Sequence, residues 1–171
     1  MPRGIRISDL ELWEFPEQRW EGLVVREKSV GGSLVPDLTD ILAAIAEHGR
    51  HLSWAILDLE GTVGNLGPDL SVSQFETQVA DSPCGYRLGW QELTAFAGKL
   101  HDLSMGLFAA SQDPTVLRRY KTMVELVDAC DLVIELFDSS YWRVFARDER
   151  VLQSLVAQYH DTKLLESADD Y

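Results

Sequence analysis

Apolar positions change period several times along the chain, and each change predicts an element. Bulky and charged residues alternate through Ile5, Ile7, Leu10, Leu12 and Phe15, and Leu23 to Val25 follow a turn-rich stretch, which predicts two early strands. Leu38, Ile41, Leu42 and Ile45 then recur at helical spacing, behind Pro36 and Asp37 and ahead of Gly49, so a first helix is expected from about Leu38. Leu52 to Leu59 reads as an apolar strand, Gly61 to Pro68 as a loop, and Phe75 to Val79 alternates as a half-buried strand should. Trp90, Leu93, Phe96, Ala97 and Leu100 line one face of a second helix, and Met105 to Ala110 form a short strand.

Asp113 and Pro114 are good helix-start chemistry, since aspartate caps exposed amides and proline at the first helical position loses no needed hydrogen bond. Val116, Leu117, Tyr120, Met123, Val124 and Val127 continue one apolar stripe, so a third helix is expected from about Thr115 until Asp131. Leu132 to Phe137 and Tyr141 to Ala146, joined by Asp138, Ser139 and Ser140, predict a hairpin. Asp148 caps a fourth helix from about Glu149 carrying Val151, Leu152, Leu155, Val156 and Tyr159, Leu164 and Leu165 add a short edge strand, and the tail 167–171 is expected to be loose. Strands and helices do not alternate as strictly as in a doubly wound parallel sheet. The expected fold is therefore a single α+β domain over residues 1–171, a mixed β-sheet covered by about four helices. Its core should include Ile41, Ile45, Ile56, Phe96, Leu107, Val124, Val133 and Leu155.

A chain of 171 residues, 46% hydrophobic, has enough material for one real core. Acids outnumber bases 28 to 15, for a formal charge of −13, which disfavours nucleic-acid phosphates and anionic lipid and favours a basic protein partner. Cys84 and Cys130 form no metal-ligand spacing and no disulfide framework, and the N-terminus lacks a positive-then-apolar signal layout, so a cytoplasmic location is expected. No apolar run approaches the roughly 20 residues that cross a bilayer.

One local pattern carries catalytic logic. Asp58-Leu59-Glu60-Gly61-Thr62-Val63 follows the apolar run Trp54 to Leu57, and it resembles the first motif of haloacid-dehalogenase-type phosphohydrolases. The resemblance implies a Mg²⁺-dependent enzyme with Asp58 as nucleophile, Glu60 in the place of the acid-base aspartate, Ser111 as a second-motif hydroxyl and Lys121 as the phosphate-neutralising lysine. Asp131 and Asp138 flank a strand at opposite ends and match the metal-holding acidic pair poorly. His48 and His51 invite a metal reading with Asp58 and Glu60, but His48 sits where a helix end favours imidazole, and no metal or organic cofactor is expected.

Five tryptophans are many for this length. Trp54 and Trp90 fit apolar faces, which leaves Trp13, Trp20, Tyr141 and Trp142 as surface candidates. With Glu11, Glu14 and Glu17 around the first two, they form the expected partner-binding set. Two segments, Ser82 to Leu93 leading through a helix to Met105, and Asp131 to Phe145 leading to the last helix, resemble small acidic bacterial proteins of the immunity type. That resemblance implies a non-enzymatic protein that neutralises a cognate toxin by direct binding, the toxin being basic. An exposed edge strand or tryptophan patch would equally pair two copies as a homodimer.

Overall fold

The computed structural model describes residues 20–34 and 36–168. The chain runs β1 (Glu21–Val25), α1 (Leu38–Gly49), β2 (Ser53–Glu60), β3 (Val63–Gly64), α2 (Val72–Asp81), β4 (Tyr86–Leu88), α3 (Trp90–Lys99), β5 (Leu100–Asp102) and β6 (Met105–Ser111). A single 3-10 turn (Pro114–Val116), α4 (Met123–Ala129), β7 (Leu132–Phe137), β8 (Tyr141–Ala146), α5 (Glu149–Gln158) and β9 (Thr162–Leu165) complete it. Among the described residues, seven strands form one sheet in the order β4-β2-β6-β7-β8-β1-β9, and β3 pairs with β5 in a separate two-stranded ribbon. The α+β class is as expected.

Every pairing in the large sheet is antiparallel, where a mixed sheet was expected. The reason is visible between β6 and β7. After the 3-10 turn the chain continues as irregular backbone, and Arg119 bonds the carbonyls of Leu57, Val79 and Ser82. The seven-residue α4 then brings it back, so that Leu132 starts β7 opposite Ala110 near the end of β6. An out-and-back excursion returns the chain to the end it left, which dictates an antiparallel neighbour.

The same excursion replaces the single expected third helix. Asp113 caps only the 3-10 turn, accepting from the Thr115 N–H at 2.9 Å. Thr122 is a second cap, its hydroxyl accepting from the Glu125 N–H, and starts α4 afresh. A further correction falls on Phe75 to Val79, which lie in α2 rather than in a strand. Ser71 and Gln74 form a reciprocal capping box there, and Phe75 and Val79, four apart, share the buried side of the helix. The helices expected near Leu38, Trp90 and Glu149 start at those residues.

Alternation along the strands sends side chains to two cores, one on each face. Leu23, Val25, Trp54, Ile56, Phe108, Ile134, Trp142 and Val144 pack on the first face beneath α1, α2, α3 and α5. Val24, Ala55, Leu57, Ala109, Val133 and Phe145 pack on the second beneath Leu117, α4 and Ala168. The two share one sheet, so neither is a separable domain. Of the expected core, Leu107 and Val124 are only partly buried; the others are buried. Gly22 allows the close approach of β8 and β9, because a Cβ there would meet the Phe145 ring at 2.9 Å and Leu165 at 3.1 Å. Of the tail expected to be loose, residues 169–171 lie outside the described residues, and Ala168 is buried with its carbonyl accepting from Arg143 at 2.9 Å.

Candidate functional site

The phosphohydrolase pattern is not assembled, because Ser111 stands far along the sheet from Asp58 and Glu60. Ser53 pairs with Ser111, whereas Asp58 and Glu60 lie five and seven residues further along β2, opposite Leu107 and Met105. At about 3.3 Å per residue, Ser111 is roughly 17 Å from Asp58 along the sheet. Motif strands that end at one common edge need parallel neighbours, and β2 and β6 are antiparallel. Lys121 is exposed before α4, its backbone N–H held by the Glu125 carboxylate at 3.1 Å.

Asp58 instead serves a β-bulge. The register shifts between Ile56 and Asp58, so Asp58 leaves the helix-covered face and Leu59 stays in that core. Its carboxylate accepts from the Leu59 N–H at 2.9 Å. Gly61 then turns the chain with φ of 67°, packed so closely on Ser104 that a Cβ would stand 2.5 Å from its hydroxyl.

The expected partner-binding set is also redistributed. Glu11, Trp13, Glu14 and Glu17 lie outside the described residues. Trp142 is not a surface residue: it is 1% exposed, and its indole N–H donates to the Pro36 carbonyl at 2.8 Å. Trp20 is buried too, edge-on to Phe145 and donating to Asp128 at 3.0 Å. Trp142 is buried because alternation along β8 sends it to the helix-covered face while Tyr141 faces the other side. Tyr141 is half-buried and stacks on Phe137 with ring centroids 5.4 Å apart and planes 19° apart.

Phe137, the last residue of an apolar strand, lies outside the expected set and is 43% exposed. The signal lay in Val133, Glu135 and Phe137, alternate positions whose glutamate marks a face that is only part-covered. Across that face the register runs Asp58, Leu107, Glu135, Arg143, Val24. Glu135 is neutralised by Arg143, whose Nε donates to it at 2.6 Å. Asp58 and Glu60, both exposed, stand at one flank, and Phe137 and Tyr141 form an aromatic step at the mouth of the β7–β8 hairpin.

A second polar concentration occupies a groove of about 260 Å³ at the other end of the sheet, lined by His48, His51, Asp131, Arg147, Asp148 and Arg150 among others. Arg150 grips the Asp148 carboxylate and pulls its pKa down to about 2, and His48 Nδ1 stands 3.6 Å from the same carboxylate. Asp131 accepts from Ser111 Oγ at 3.0 Å and the Gln112 N–H at 2.8 Å, fastening the end of β6 to the start of β7. The Ser111 hydroxyl thus faces a carboxylate that orients it, and the two histidines are engaged with Asp148 and Arg50. This network reads as structural, holding α1, α5 and the hairpin together. Cys130 beside it is buried, and burial together with Asp131 pushes its thiol up to about 11, whereas Cys84 is exposed.

Among the described residues, no group of three or more His, Cys, Asp and Glu side chains is placed to hold a metal ion, and no helix is long and apolar enough to cross a membrane. No family model, curated protein or solved structure matches this chain.

Proposed function

We propose that this chain is a non-enzymatic domain that binds a basic protein partner in the bacterial cytoplasm, the neutralisation of a cognate toxin being the role that its resemblance to immunity-type proteins implies. The observation that supports this is the juxtaposition, on one sheet face, of the exposed carboxylates Asp58 and Glu60 with the stacked Phe137–Tyr141 pair. Rigid aromatic anchors beside a charged flank are what a protein interface uses, the rings for residence and the carboxylates for encounter. A net charge of −13 adds long-range attraction for a basic surface. Unlike the phosphohydrolase pattern, this arrangement asks nothing of Ser111 or Lys121.

The test is association kinetics with the partner captured from the native host. Charge reversal at both acids, Asp58→Lys with Glu60→Lys, should slow association at least about tenfold at low salt, and Phe137→Ala should mainly speed dissociation. Raising salt to roughly 1 M, where the Debye length is about 3 Å, should erase the first difference and leave the second. An association rate indifferent to both charge reversal and salt overturns the assignment of this face.

A further inference from the structure

On the opposite side of the β7–β8 hairpin lies a cavity of about 260 Å³, enclosed by the N-terminus of α1, the α3–β5 junction and the hairpin turn. Its wall is apolar where it meets the core: Leu38 and Trp142 are buried, and Leu34 and Leu100 pack against the same cluster. Its mouth carries Asp37 and Asp102, both exposed. Each carboxylate is fixed by a local backbone bond, Asp37 Oδ1 accepting from the Asp40 N–H at 2.8 Å and Asp102 Oδ1 from the Leu103 N–H at 2.8 Å. Each retains a second oxygen for another donor.

The turn that closes the cavity is held in an uncommon conformation. Asp138 and Ser139 have φ of 47° and 54°, and the Ser139 N–H donates to the Ser104 carbonyl at 2.8 Å while its hydroxyl donates to Leu103 at 3.3 Å. The indole N–H of Trp142 is spent on Pro36, so the ring offers its apolar surface only. The cavity therefore exists before any occupant arrives, with carboxylates at its mouth and hydrocarbon at its base.

We propose that this cavity binds a small organic cation, an alkyl chain carrying an ammonium or guanidinium head. The chain would lie against Leu38, Leu100 and Trp142, and the head would be shared between Asp37 and Asp102. An anion would meet two fixed carboxylates with no lysine or arginine among the described lining residues to offset them, His101 being the remaining titratable group among them. A neutral chain would leave those carboxylates unused. At about 30 Å³ per water, the space admits on the order of eight heavy atoms, the size of a four- to six-carbon amine. The same chemistry is offered by a free alkylamine or by a lysine or arginine side chain of a protein. The site is independent of the face bearing Phe137 and stands whether or not that face binds a partner.

Titration of the full chain with pentylamine, read by NMR at the five tryptophan indole N–H signals and by calorimetry, tests this directly. Pentylamine should perturb the Trp142 signal, assigned through Trp142→Phe, and bind at least about tenfold more tightly than pentanol. Asp37→Asn with Asp102→Asn, which retains both backbone acceptors, should weaken pentylamine by about tenfold or more and leave pentanol unchanged. Asp102→Asn alone, outside any helix cap, should give part of that loss. A lysine blocked at both backbone ends separates the sources: affinity equal to pentylamine's identifies a protein side chain as a competent occupant, and much weaker affinity identifies a free amine. Equal affinity for pentanol and pentylamine, no response of Trp142 at about 20 mM amine, or indifference to both aspartate variants would overturn the proposal.

Discussion

Beneath α1, α2, α3 and α5, the first face of the sheet is sealed by regular elements whose apolar stripes lie flat on the strands. The second is covered by one turn of 3-10 helix, an irregular run, the seven-residue α4 and the chain around Ala168. Both faces contain residues with no exposed surface, Phe108 on the first and Leu117 on the second. They differ in what surrounds those residues: repeating helical turns that cannot close in independently, against a single pass of chain that can. Coverage by irregular chain also leaves part of the second face to Glu135, Phe137 and Tyr141, and that is where the acidic and aromatic groups gather.

Truncation should expose this asymmetry. Phe108→Ala is expected to cost about 3–5 kcal/mol in denaturant unfolding, because the rigid helix-covered core keeps the cavity open. Leu117→Ala should cost only about 2 kcal/mol, the irregular segment settling into the space, with hydrogen-exchange protection falling first in residues 117–130. Equal costs, or uniform loss of protection, would show that the two covers are equally rigid.

Alkaline titration sharpens the comparison from the second face alone. Cys130 is held neutral by burial, with its pKa raised from 9.0 to about 11. Its contribution to stability is full below pH 9 and is lost as pH climbs through about 11, since the unfolded thiol ionises first. Cys130→Ala should remove that part of the decline between pH 9 and 11 in denaturation midpoints. A wild-type and variant decline of equal steepness would contradict this.

The smallest effect belongs to the first face's periphery. Asp148→Ala removes the N-cap of α5, whose carboxylate accepts from the Arg150 N–H at 3.0 Å, and should cost about 1 kcal/mol. With the folded pKa at about 2 against 3.8, the carboxylate's contribution holds above pH 3.8 and fades as pH falls through 2. Thermal unfolding of the two proteins should therefore converge in acid.

The strands were legible because period-two alternation survives in any pairing: β2, β6, β7 and β8 each fall within a residue of the expected spans. Helices α1, α3 and α5 were equally clear from a broad apolar stripe behind a boundary residue. What the pattern did not carry was the return of the chain between β6 and β7. Val116 to Val127 keep helical spacing throughout, yet Leu117 to Lys121 take no regular helix, and Arg119 there bonds three distant carbonyls. That choice depends on residues about forty to sixty positions away. Thr122 with Glu125, and Ser71 with Gln74, were the local signals of the restarted α4 and of α2. The phosphohydrolase pattern failed for a related reason: six residues describe a strand end but say nothing of which neighbour, in which direction, brings the other groups to it.

Among the described residues, the lengths of the outermost strands have a consequence for association at high concentration. β4 has three residues and β9 four, beside an eight-residue β2 within the sheet. A strand from another molecule that approaches either border finds a template too short for more than a few ladder bonds, and at β9 it also meets the exposed Lys163. The truncated borders oppose edge-to-edge polymerisation, the characteristic hazard of an open sheet.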